Sequence, residues 1–87
     1  MEPRQKLYLV LEQMVQCAEK NEPPKVSALH EQYKKLRPKV YSNPMTELDF
    51  QYDNCRISCI SSVTLLSSSH KDLVKDAKTM FAKIPKP

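Results

Sequence analysis

Three cysteines, two histidines and a short run of carboxylates are the residues here whose types can do chemistry. Cys55 and Cys59 stand four apart, which on a helix puts both thiols on one face. With His30 and His70 they would offer zinc a sulfur–nitrogen shell. Structural zinc sites use tighter cysteine pairs, however, and no second pair closes the set. Buried, inert thiols are the better reading. Cys17 and His30 can be written as a nucleophile and its base, but they fall on separate helices without an oxyanion-type loop. Cys17 is therefore expected in the core and His30 in solvent. Glu47, Asp49 and Asp53 could pair for acid–base work. They also fall early in an expected helix, where acids complement the positive dipole end, and that structural role is the expectation. No catalytic residue, metal, cofactor or small-molecule substrate is expected.

The basic side chains are a different kind of candidate. Lys34, Lys35, Arg37 and Lys39, with Tyr33 and Tyr41 nearby, could follow a phosphate backbone. Lys71, Lys75 and Lys78 share one side of the last expected helix and could extend the same surface. The alternative is that these charges only end helices and keep them solvated. A third set, Tyr41, Met45, Phe50 and Tyr52, is expected to leave apolar surface open to a protein partner.

Composition bounds these options. Eighty-seven residues make one domain with a modest core. Apolar residues are 40% and charged residues 28%, which suits a globular chain rather than a disordered tail. Net charge is +4, divided as +3 over residues 1–42, −2 over 43–66 and +3 over 67–87. That permits a nucleic-acid partner without requiring one. There is no glycine, which argues against a P-loop, a dinucleotide-binding fingerprint or a two-residue hairpin turn. No apolar run approaches the roughly 20 residues of a membrane span. The run Leu7–Leu11 is too short for a secretory signal and is broken by Glu12. An odd cysteine count with no such signal and no glycosylation sequon points to a reduced nuclear or cytoplasmic protein.

Four segments must position the candidates. Pro3 suits a helix's first turn, and Leu7, Leu11, Met14, Val15 and Ala18 make a seam that predicts a helix over 4–20. Asn21-Glu-Pro-Pro24 reads as a stop and a turn. Val26, Leu29, Tyr33 and Leu36 predict a second helix, capped by Ser27 and stopped at Pro38. Lys39 to Pro44 reads as extended or turn-like. Met45, Leu48, Tyr52, Cys55 and Cys59 predict a helix over 46–60. Beyond it, Ile57, Cys59, Ser61, Val63 and Leu65 alternate, so residues 60–66 are read as a frayed end or a short strand. Ser67-Ser-Ser69 reads as a linker, with Ser69 and Asp72 at capping-box spacing. Leu73, Ala77, Met80 or Phe81, and Ile84 predict a last helix over 70–83. The Pro85-Lys-Pro87 tail reads as the edge of a piece of a larger protein.

The helix containing KLYLVLEQMV, a short loop and then VSALHEQYKKL resemble the opening of the winged-helix domain of replication-origin initiator ATPases. The resemblance covers residues 5–36 and rests on Leu29, Glu31, Tyr33 and Leu36, which match that family's L-x-E-x-Y-x-x-L pattern. It implies a DNA- or complex-binding module beside an ATPase, without catalysis of its own. Residues 46–60 would then be the third, recognition-type helix, although no glycine-containing wing is readable between Cys59 and Ser69. The expected fold is mostly α: a three- to four-helix domain of helix-turn-helix or degenerate winged-helix type. The expected function is non-catalytic binding, to duplex nucleic acid in replication or chromatin, or alternatively to a protein partner in an intracellular complex.

Overall fold

The computed structural model describes residues 1–64 and 69–87. It contains four α-helices: α1 (Pro3–Glu19), α2 (Pro23–Val40), α3 (Glu47–Thr64) and α4 (His70–Lys83). No strand occurs among the described residues. The Cα radius of gyration is 12.2 Å, close to the roughly 12 Å of a compact chain this long.

Helix α1 is the common wall of the core. Leu7, Leu11, Met14 and Ala18 are fully buried, with Tyr8 and Val15 beside them. A seam that wide lets α1 touch all three other helices. The helix closes without glycine. Asn21 takes the left-handed conformation (φ 54°). The Asn21 amide then donates to the Ala18 carbonyl at 3.0 Å and the Glu22 amide to the Cys17 carbonyl at 3.0 Å. This is the Schellman pattern, and asparagine is the commonest stand-in for glycine there.

Helix α2 is longer at both ends than the sequence predicts. It begins at Pro23, so Pro23 and Pro24 occupy its first two positions rather than a turn. Their missing amides are ones that no helix bonds internally at its start. Ser27 therefore lies inside the helix, exposed, and is not its cap. Pro38 also lies inside it. Both Pro38 and Lys34, whose carbonyl loses its amide partner, face solvent, so water can serve that carbonyl. The helix continues past Pro38 and closes where the Tyr41 amide donates to the Arg37 carbonyl at 2.9 Å. Extended chain begins only at Tyr41.

Helix α3 runs through the segment where alternation suggested a strand. Residues 60–64 are helical, while 65 and 66 lie outside the described residues. The helix register wins because it buries Ser62 beneath Tyr52, Cys55 and Cys59 on one stripe. The Ser62 hydroxyl is satisfied on the Cys59 carbonyl at 2.7 Å. These small side chains also let α4 approach closely: the Cys55 thiol donates to the Ala77 carbonyl at 3.4 Å. Residues 67 and 68 of the expected serine linker lie outside the described residues. Ser69 precedes α4 but makes no side-chain cap bond, because its backbone is helical rather than extended. Capping boxes lie elsewhere, at the start of α1, where the Glu2 amide donates to Gln5 Oε1 at 2.9 Å, and at the start of α3. The Asp49 amide donates to Thr46 Oγ1 at 3.1 Å, and the Thr46 amide donates to Asp49 Oδ2 at 3.1 Å.

Successive helices alternate in direction. The pairs His30–Arg56 and Arg37–Asp53 run α2 against α3. Those of Cys55 with Ala77 and Ser62 with His70 run α3 against α4. Helices α1 and α3 meet across the middle, whereas the α2 and α4 backbones stay apart and only their inner side chains belong to the same core.

Candidate functional site

The three carboxylates do not form a catalytic pair. Asp49 is fully buried. It accepts from Arg4 at 2.8 Å, the Ser42 amide at 2.8 Å and the Thr46 amide at 3.1 Å. Burial alone would raise its pKa. The two amides, Arg4 and the Thr46 hydroxyl outweigh that and hold the carboxyl at about 2. Asp49 thus clamps the start of α1 and the α2–α3 connection onto α3. Asp53 does a related task nearer the surface. It accepts from Arg56 at 2.6 Å and from the Tyr41 hydroxyl at 3.3 Å, and Arg37 lies 3.7 Å away. Tyr41 in turn meets the buried Tyr33 hydroxyl. Burial, first of all, pushes Tyr41 up to about 12. Glu47 is exposed on the first turn of α3.

The thiols are similarly committed. Cys55 and Cys59 are buried and Cys17 is half-buried against the core. A hydrogen bond with Cys55, and then burial, push the Cys59 thiol up, away from the nucleophilic thiolate. Among the described residues no three histidine, cysteine or acidic side chains gather as a metal site. His30 differs from its expected place in solvent. It is partly buried, with Nε2 3.5 Å from Arg56 Nη1. Burial, then Arg56 and Lys34, hold its pKa below the ordinary histidine value. The His70 ring hydrogen-bonds the Ser62 carbonyl at 2.8 Å and ties α4 to the end of α3.

The basic candidates divide into two groups. On α2, Lys34 pairs with Glu31 at 3.0 Å. Arg37 is drawn inward, to Asp53 and over the Tyr41 ring at 5.6 Å. Lys35 and Lys39 are exposed and make no ion pair among the described residues. On α4, Lys71 and Lys75 are exposed, and Lys78 pairs with Glu19 of α1. Because the α2 and α4 backbones stay apart, these are two surfaces carried on separate helices.

The apolar candidates divide as well. Phe50 is 53% exposed, while Tyr41 and Met45 are half-buried. Tyr52 is fully buried, which corrects the expectation that it faces a partner. The reason is register: Tyr52, Cys55 and Cys59 share the inner stripe of α3. That spacing was the signal in the sequence. Arg4 lies 4.9 Å above the Tyr52 ring. Among the described residues the Tyr52 hydroxyl is buried with the Arg4 guanidinium beside it and no well-formed hydrogen bond, so Tyr52→Phe should change stability by no more than about 1 kcal/mol. Urea unfolding checks this, and a larger loss of stability would show that the hydroxyl is satisfied. Sequence reasoning did not single out Leu9 and Ile57, whose side chains are 40% and 46% exposed. Leu9 lines an open groove with Met1, Tyr8 and Pro87, of about 430 Å³.

No helix among the described residues is long and apolar enough to cross a membrane. Comparison with protein-family models, with curated proteins and with solved structures finds no match to this chain.

Proposed function

We propose that this protein is a non-catalytic helical binding module that associates with nucleic acid through its phosphate backbone. Within this reading its four helices are a degenerate member of the helix-turn-helix or winged-helix class, with α3 in the place of the third helix. The supporting observation is the state of the lysines. Lys35, Lys39, Lys71 and Lys75 are exposed and make no ion pair among the described residues. Asp49 and Asp53 of α3 are turned inward onto arginines, and the exposed Asp72 and Asp76 of α4 make no ion pair with these lysines among the described residues. Lysines of this kind bind phosphate as point charges and read no base sequence.

The test is titration with a DNA duplex at about 50 and about 200 mM salt. Affinity should fall steeply between the two, because each phosphate contact releases condensed counterions. No binding at the lower salt rejects the reading.

A second reading, a protein-interaction module, has one specific observation in its favour. Phe50 and Ile57 of α3 and Leu9 of α1 leave apolar surface in solvent. A pull-down after nuclease treatment separates the two. Partners that survive nuclease and are lost in Phe50→Ser favour the protein partner.

A further inference from the structure

The two lysine groups differ in shape. Lys35 and Lys39 project from a helix that carries them on its outer side. The α4 lysines instead surround a groove of about 400 Å³ against the end of α1, lined by Glu19, Lys71, Val74, Lys75, Lys78 and Thr79. Val74, 8% exposed, is its apolar floor. Lys71, Lys75 and Lys78 fall at i, i+4 and i+7, one above another along the groove.

Glu19 is the unusual member. It is the last residue of α1, where a carboxylate meets the negative end of the helix dipole and is disfavoured. It is held there by Lys78. Both side chains are about half exposed, at 50% and 54%, so that pair is weak and exchangeable. The groove therefore already holds one anionic group against one of its lysines, and that group sits where its own helix opposes it.

This deepens the nucleic-acid reading above and rests on it. We propose that the α1–α4 groove seats a duplex phosphate backbone. Lys71, Lys75 and Lys78 are its contacts, and Glu19 is the internal anion that an incoming phosphate displaces from Lys78. A phosphodiester fits better than a stacked single strand, because no aromatic among the described residues lines the groove. It fits a positioning contact rather than a base-reading one, because among the described residues no arginine fork lines it either.

The experiment uses the whole chain and a short fluorescent DNA duplex. Lys71→Gln with Lys75→Gln should weaken binding about tenfold at low salt and make the salt slope shallower by about two. Lys35→Gln with Lys39→Gln should do much less. Glu19→Gln should tighten binding about two- to fivefold, the worth of an exposed ion pair. A merely structural Glu19 would lower stability without that gain. Circular dichroism melts confirm that each variant folds.

The outcomes separate. If the unsubstituted chain does not bind duplex, the nucleic-acid reading fails and this proposal with it. If it binds but only the α2 pair matters, or Glu19→Gln weakens binding, the groove is the wrong seat while the general reading survives. If poly-glutamate of equal charge binds the groove as tightly as duplex, its occupant is an acidic protein segment and the proposal is overturned.

Discussion

Asp49→Ala should destabilise the protein by about 3 kcal/mol, because it removes one member of a buried ion pair and leaves Arg4 without its carboxylate. Arg4 is 25% exposed, so the loss belongs at the lower end of the range for such pairs. The Ser42 and Thr46 amides lose their acceptor too, which loosens the entry to α3. For a domain this small, 3 kcal/mol is a large part of the total. The pH dependence identifies the cause. The folded Asp49 carboxyl stands at about 2 against an ordinary 3.8. A depressed carboxyl stabilises the fold fully above about pH 4, and that contribution disappears as pH falls through about 2. The difference amounts to about 2 kcal/mol. Urea unfolding at pH 7, 4 and 2 should show the variant closing on the parent as pH falls. A gap that is constant with pH would mean that Asp49 acts by packing and not by charge. The exposed pairs Glu22–Lys25 and Glu31–Lys34, whose carboxyls are also lowered, supply acid sensitivity common to both proteins.

The other large effect is expected within α1. Leu11→Ala should cost about 2–5 kcal/mol, the transfer free energy of the lost side chain plus the cavity left behind. Leu11 is fully buried on the helix that touches every other helix, so no neighbour can collapse freely into the space. Leu9→Ala, two residues away and 40% exposed, should change stability by less than about 0.5 kcal/mol. Thermal melts of the two variants test the register of α1. Equal effects would mean that the buried stripe has been misplaced.

That stripe was legible in the sequence. Leu7, Leu11, Met14, Val15 and Ala18 fall at helix spacing, and burial follows spacing wherever one face must be dry. Val26 and Tyr33 followed the same rule on α2, and Cys55 and Cys59 on α3. The ends of helices were less legible, because proline has two meanings. At Pro23 and Pro24 it opens a helix that it was expected to precede, and at Pro38 it is carried on a solvated side. The Asp49 clamp was hidden for another reason. Its partners come from residues 4, 42 and 46, and only the last is near enough in sequence to show as a motif. The Thr46–Asp49 spacing was there to be seen, but the serine run before α4 offered the more familiar box. Among the basic candidates, sequence spacing grouped Lys71, Lys75 and Lys78 on one side of α4. It carried no sign that Glu19, fifty-nine positions from Lys78, would share their groove.

The separation of the α2 and α4 backbones has an arithmetic consequence. Substitutions on their solvent-facing sides, away from the α1 and α3 residues that both helices pack against, should therefore sum with little cross-term. Either flank can then drift in charge or shape over generations while the other keeps its work, provided α1 and α3 hold between them.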